Sequence, residues 1–177
     1  MSTRSEKYYY EKLAKTSREL CIDKNIIKED TTSLDFLTLQ KITNFVGGKL
    51  FKDNESFSYF KKLENDSFEV CKGNDIKDDQ ISLTTLKALA IPFYKFKEVE
   101  NSRVIKLEEV EFISSYPYDS SMPEYFARAF LMPENLYDKV LVNNMTNDSK
   151  FDIIEVAKEF GIHYMDALAR GEDLKKW

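Results

Sequence analysis

The first residues of the chain carry a narrow apolar stripe at helical spacing. Between residues 5 and 21, charged side chains alternate with Tyr9, Leu13 and Leu20. Apolar positions four or seven residues apart lie on one face of an α-helix. The pattern predicts a surface helix that packs loosely, and we assign residues 1–30 to an N-terminal extension.

A start signal, an apolar stripe and a stop signal predict a second helix. Thr32 and Asp35 have the spacing of a capping box, with Asp in place of the usual Glu. The apolar residues that follow keep helical spacing: Leu39, Ile42, Phe45 and Val46. Gly47 then supplies a residue type that commonly ends a helix.

The pattern next changes to short aromatic and β-branched runs, which predict strands. The runs cover residues 49–51, 56–60 and 67–71, and turn-forming Asn and Asp residues separate them at 53–54 and 65–66. Strands joined by tight turns commonly pair as antiparallel hairpins. We therefore predict a small three-stranded antiparallel sheet.

An apolar run around residues 83–90 predicts a buried helix. Ser82 is a candidate N-cap for it, and Pro92 is expected to kink or end it. The following residues 97–120 have no clear period. They fit either a strand followed by a turn or an exposed loop.

The last third of the chain is predicted to be helical. Two helices are expected to meet at Met132 and Pro133, since proline both closes a helix and begins one. Residues 143–177 are predicted to form a subdomain whose two helices are separated by Gly161, in the outline of a helix-turn-helix. With strands between helices, the chain is expected to be α+β, with its core at residues 31–142.

Composition and charge favour a globular protein whose partner is another protein. Apolar residues make up 42% and charged residues 32%, enough for a core and a hydrated surface. A net charge of -5 repels polyphosphate, so direct nucleic-acid binding is not expected. Cys21 and Cys71 lack CxxC spacing, which favours buried thiols in a reducing compartment. The sequence lacks a signal peptide pattern and an apolar run of membrane-spanning length, so we expect a cytoplasmic protein that does not contact membranes.

Two strings resemble the ImmA/IrrE family of metallopeptidases. FARAFLMP, at residues 126–133, is similar to the family's FAxxLLMP segment. VAKEFGIHYMDALAR, at residues 156–170, is similar to a later helical segment, with His163 where Ser or Thr is usual and Gly171 following where Leu is expected. The predicted order of elements also agrees. The resemblance implies a zincin-like scaffold with a helix-turn-helix-like tail.

The resemblance also indicates which catalytic groups are missing. A zinc peptidase of this kind needs two histidines one helical turn apart, a glutamate beside them and a third acidic ligand. When the family's HExxH helix is laid over residues 81–89, Thr85 and Leu89 stand at the histidines and Leu86 at the glutamate. Ser120 lies near the third ligand position. We therefore expect a degenerate relative without catalytic activity, metal or other cofactor.

The tail is a poor candidate for reading DNA. Its second helix offers Arg170 as its one basic group, and Glu172 and Asp173 follow. Phosphate contacts need several such groups. His163, the single histidine of the chain, is predicted to be a solvent-facing cap of that helix.

A tyrosine-flanked acidic segment is the predicted partner surface. Tyrosine buries a large ring while its hydroxyl stays hydrated, and carboxylates steer a basic partner. Glutamates and tyrosines both occur in residues 97–120 and in the adjoining helix start at residues 122–125. They are Glu108, Glu109, Glu111, Tyr116, Tyr118 and Tyr125. Ordinary core and surface filling is the alternative for these tyrosines. A basic DNA-binding repressor or a nuclease would suit the surface.

The resemblance implies a regulatory role. Active members of the family act on helix-turn-helix repressors, often in phages and mobile elements. A pseudo-peptidase is therefore expected to bind a protein as a regulator, antirepressor or inhibitor. The alternative is an unrelated α+β hydrolase or transferase whose active site is not visible in one sequence.

Overall fold

Helices flank one small sheet in the computed structural model, which describes residues 4–54, 56–65, 67–77, 80–94, 104–106 and 122–177. The predicted α+β class is confirmed. Among these residues, no helix is long and apolar enough to cross a membrane. The elements are α1 (Arg4–Asp23), α2 (Phe36–Phe45), β1 (Gly48–Lys52), β2 (Tyr59–Lys62), β3 (Phe68–Lys72), α3 (Ile81–Tyr94), β4 (Val104–Lys106), α4 (Met122–Leu131), α5 (Glu134–Asn143), α6 (Ile153–Phe160) and α7 (Tyr164–Asp173).

The sheet is mixed, so the predicted antiparallel arrangement is wrong. Its strand order is β1-β3-β2-β4. β2 pairs antiparallel with both β3 and β4, whereas β1 pairs parallel with β3 and places Leu50 opposite Val70. β1 thus lies on the far side of β3 from β2, although β2 follows it in the chain.

The connection from β1 to β2 crosses the end of β3 at Gly73. The Gly73 amide donates to Ser58 Oγ at 2.9 Å, and the Asn74 amide donates to the Ser56 carbonyl at 3.2 Å. A Cβ at residue 73 would lie 2.1 Å from that carbonyl oxygen, so glycine is required for the close approach. Because of this crossing, strands whose sequence pattern predicted an antiparallel sheet form a mixed sheet instead.

Helix α1 packs along α4, and the predicted loose packing is wrong. Its buried face carries Tyr10, Ala14 and Cys21, whereas Tyr9 and Leu20 from the predicted stripe are exposed. The helical period was predicted correctly, but the buried residues each lie one position later in the chain than the predicted apolar residues. Ala14, a small residue, allows the two helices to approach closely.

Two helix boundaries differ from their predictions. Asp35 rather than Thr32 caps α2, because its Oδ1 accepts from the Thr38 amide at 2.7 Å. Ser82 lies inside α3, and Pro92 is accommodated within that helix instead of ending it. Because proline has no N–H, Pro92 cannot donate the helical hydrogen bond to the carbonyl four residues before it.

The predicted helices of the C-terminal region are confirmed. Pro133 is the N-cap of α5, as expected where two helices meet. Asp152 caps α6, and Gly161 ends it in the left-handed conformation at φ 62°. A bridge between Met145 and Phe151 closes the turn that joins α5 to α6.

Candidate functional site

Helix α3 carries the positions at which the resemblance would place zinc ligands. The exposed fractions of Thr85, Leu86 and Leu89 are 2%, 1% and 0%. α3 packs against α4, so these side chains belong to the core, as predicted for a core helix. Across the described ranges, no group of three or more His, Cys, Asp or Glu side chains could hold a metal ion.

Most of the predicted partner surface lies outside the described residues. This applies to Glu108, Glu109, Glu111, Tyr116 and Tyr118, and also to the degenerate ligand position Ser120. Of residues 97–120, the structure describes β4. The predicted partner surface at these positions stays a prediction.

Tyr125 is described, and it packs inside the protein. It is 6% exposed, and its ring centroid lies 5.4 Å from Lys7 Nζ and 5.9 Å from the Arg170 guanidinium carbon. Burial, and then the charge of Glu11, raises the pKa of Tyr125 to about 12. In this arrangement its ring joins the core instead of standing out as an interface anchor.

Arg170 is fully buried and joins α7 to α1 and to the end of α4. Its two terminal nitrogens donate to the Glu11 carboxylate at 2.9 and 2.6 Å, and its Nε donates to the Met132 carbonyl at 2.8 Å. Burial alone would lower the pKa of Arg170, but the hydrogen bonds and charge of Glu11 outweigh it and raise the pKa. The one basic residue of α7 is therefore withdrawn from solvent.

A second set of ion pairs continues this network. Arg128 of α4 binds Asp173 of α7 at 2.9 Å, and Lys7 of α1 lies 3.5 Å from the same carboxylate. Lys87 of α3 binds Glu124 of α4 at 2.6 Å. The two contacts to Asp173 attach α7 to α4 and α1, and the third joins α3 to α4.

Arg18 anchors the other half of α1. It is buried and donates to the carbonyls of Phe130 at 3.0 Å and Thr31 at 2.8 Å. Burial lowers the pKa of Arg18 to about 10 and raises that of Cys21 to about 11. The Cys21 thiol is therefore protonated at neutral pH, and the prediction that both Cys21 and Cys71 are buried is confirmed.

A cleft of about 720 Å³ opens between α1 and the start of α5. Two cations line it, Lys15 and the buried Arg18. Five carboxylates also line it: Glu11, Glu19, Glu29, Glu134 and Asp138. Three of these carboxylates are paired with cations of the same chain, Glu11 with Arg170 and both Glu134 and Asp138 with Lys176. We call this carboxylate-lined space the acidic cleft. Sequence patterns did not reveal it, because its carboxylates come from two helices and a loop far apart in the chain.

Exposed apolar side chains gather where α5 turns into α6. Met145 and Phe151 face each other across their bridge, and the Phe151 ring centroid lies 6.4 Å from that of Trp177. On the adjoining helix turns, Val142 is 63% and Ile154 59% exposed. We define the hairpin patch as these five residues. Met145 and Phe151 are apolar residues in an otherwise polar stretch of the chain, and they are the sequence signal that could have revealed the patch.

His163 is exposed and caps α7, as predicted. Its Nδ1 accepts from the Met165 amide at 3.4 Å. Tyr164 and Met165 beside it are exposed, so the start of α7 presents an aromatic and apolar surface. An aromatic and apolar helix end is more typical of a protein contact than of a phosphate contact.

The described residues thus combine a tightly packed α3, an acidic cleft and an exposed apolar patch. Exposed apolar patches of this kind commonly mark protein-binding sites. Comparison with family models, with curated proteins and with solved structures finds no match for this chain.

Proposed function

We propose that this protein is a non-catalytic relative of the ImmA/IrrE peptidases that binds another protein and acts as a regulator, antirepressor or inhibitor. The observation that carries the proposal is the burial of Thr85, Leu86 and Leu89 in α3. In a catalytic zinc site, the ligands must face a space where water and substrate can reach the metal. Side chains buried in the core leave no such space at these positions.

The C-terminal helices support protein binding over DNA binding. α6, the turn at Gly161 and α7 have the order of a helix-turn-helix-like tail, which forms part of the proposal. The basic group that α7 would offer to phosphate, Arg170, is paired with Glu11 inside the protein. Tyr164 and Met165 face solvent instead.

The decisive experiment is isolation of the partner, followed by reconstitution. Tagged protein would be recovered from the cells that make it, and the co-purifying protein identified and purified separately. We expect a stoichiometric complex by size-exclusion chromatography with light scattering, and an unchanged intact mass of the partner after prolonged incubation. Cleavage or other turnover of the partner would contradict the proposal and favour an unrelated α+β enzyme.

The predicted partner surface can be tested with the same complex. Replacing both Tyr116 and Tyr118 with Ala should weaken binding by about 2 kcal/mol or more and leave thermal stability nearly unchanged. Tyr8→Ala, on the exposed face of α1, serves as the control. If the double variant unfolds, or binds as tightly as the parent, these tyrosines are not interface anchors.

A further inference from the structure

We propose that residues 174–177 form a strap that closes over α5 and its turn into α6, and that raising the ionic strength opens the strap while the rest of the protein stays folded. The strap follows α7, which ends at Asp173. This conformational device is independent of the proposed function, because it needs no partner.

The backbone of the strap adopts a turn that its own residues do not favour. The Lys176 amide donates to the Gly171 carbonyl at 2.9 Å, and the Lys175 amide donates to the Glu172 carbonyl at 3.1 Å. Such a pair of hydrogen bonds caps a helix end and needs one residue in the left-handed conformation, where glycine is usual. Here that residue is Lys175, with φ 56°. A residue with a Cβ is disfavoured in this conformation, so other contacts must hold the strap closed.

Two ion pairs hold the strap against α5. Lys176 Nζ lies 3.1 Å from Glu134 and 2.8 Å from Asp138, which are one helical turn apart. The side chains of these carboxylates are 61% and 45% exposed. Exposed ion pairs contribute little stability each, and dissolved salt screens them. Ionic strength therefore acts directly on the contacts that close the strap.

Trp177 completes the strap with a contact that is not electrostatic. Its ring covers Gly171, where an added Cβ would lie 2.0 Å from it, and its centroid lies 6.4 Å from that of Phe151. Because Trp177 is 50% exposed, it gains only part of the stabilisation of a tryptophan in a core. Weak contacts thus oppose an unfavourable backbone conformation, and we expect the open and closed forms to be close in free energy.

Opening the strap would change the charge of the acidic cleft. Glu134 and Asp138 line the cleft, and Lys176 pairs with both when the strap is closed. In the open form these two carboxylates lose that cation. The pair between Arg170 and Glu11 would persist, because salt screens a buried pair much less. The strap therefore controls the charge of one side of the cleft while α7 stays in place.

Trp177 is the single tryptophan of the chain and reports on the strap directly. Acrylamide, an uncharged quencher, measures its accessibility at low salt and in about 1 M sodium chloride, where the Debye length falls to about 3 Å. We expect the quenching constant to rise about twofold, since a ring that is 50% exposed becomes fully exposed when the strap opens. Far-UV circular dichroism should not change. A loss of helix that accompanies the rise would mean that salt unfolds the protein, and would overturn the proposal.

Variants with opposite effects separate opening of the strap from a general response to salt. Lys176→Gln should show the high quenching constant already at low salt, whereas Lys176→Arg should keep the salt dependence of the parent. Lys175→Gly relieves the left-handed residue, so its strap should need more salt to open. Lys158→Gln, which removes an exposed pair with Glu155 on α6, is the matched control and should behave like the parent. Equal quenching of Lys176→Gln and the parent at low salt, or no effect of salt on the parent, would refute the strap.

Discussion

At the scale of single residues, Arg170 joins three helices from a position with no solvent exposure. Its guanidinium pairs with Glu11 of α1 and with the carbonyl that follows α4, while its backbone belongs to α7. Removing one member of a buried pair leaves the other without its partner, which costs more than forming the pair contributes. The role of Arg170 is therefore structural, because its charge pairs with Glu11 and holds α7 against α1.

Replacing Arg170 with Ala should lower the free energy of unfolding by about 2–4 kcal/mol, somewhat below the range for fully buried pairs because Glu11 is partly hydrated. Urea denaturation measures this change. Lys158→Ala, which removes an exposed pair with Glu155, is the control and should leave the unfolding midpoint unchanged. Similar midpoints for the two variants would show that the buried pair contributes little.

Introducing the peptidase groups that the family resemblance would require in α3 should damage the fold before it creates a metal site. Leu86→Glu places a carboxylate at a position 1% exposed, and the expected loss of stability is about 4 kcal/mol or more. Leu37→Glu, on an exposed helix position, is the control.

The parent protein is expected to purify without stoichiometric zinc, which elemental analysis measures. The triple variant Thr85→His, Leu86→Glu, Leu89→His should show no cleavage of a repressor.

At the scale of elements, local signals in the sequence predicted helices better than they predicted packing. Gly47, Pro133 and Gly161 mark helix ends because their effect on the backbone is local. The buried face of α1 was missed because Arg18, a polar residue, lies on it and makes its hydrogen bonds to distant carbonyls. An amphipathic pattern does not show that a polar residue will find hydrogen-bond acceptors elsewhere in the fold.

Gly161 and Gly171 show two different requirements for glycine within the tail. Gly161 has φ 62°, whereas a Cβ at residue 171 would lie 2.0 Å from the ring of Trp177. This contact leaves no room at residue 171 for a larger side chain such as leucine. Gly171→Ala should displace the Trp177 ring and shift its fluorescence emission to longer wavelength.

Gly161→Ala is the matched control for that experiment. It should cost about 1 kcal/mol through backbone strain and leave Trp177 emission unchanged, since the nearest atom to a new Cβ is 3.5 Å away in Ser33. Equal emission spectra for the two variants would contradict the placement of Trp177 against residue 171.

At the scale of the whole molecule, the α+β class could be predicted from the sequence, but the strand order and the candidate surface could not. Strand pairing depends on the crossing at Gly73, where the connection between β1 and β2 meets the end of β3. The acidic cleft likewise gathers side chains from α1, α5 and the loop between α1 and α2. Both features arise from tertiary contacts that no local pattern specifies.

Weak or absent binding to duplex DNA at physiological salt is expected of the molecule as a whole. A net charge of -5 opposes approach to phosphate, and the buried Arg170 contributes no compensating contact. An electrophoretic mobility assay measures this directly. A sequence-specific shift at nanomolar protein would contradict the expectation, unless a partner that itself binds DNA is present.

The crossing at Gly73 imposes an order on folding. The β2–β3 hairpin is local in sequence and can form on the microsecond timescale, whereas β1 reaches its place beside β3 only when its connection has passed over residue 73. Nucleation is therefore expected in the hairpin, with β1 joining after the rate-limiting step. Leu50→Ala in β1 should accelerate unfolding, whereas Phe60→Ala in β2 should slow refolding, and stopped-flow kinetics distinguishes the two. Slower refolding of the Leu50 variant would show that the parallel pair forms early.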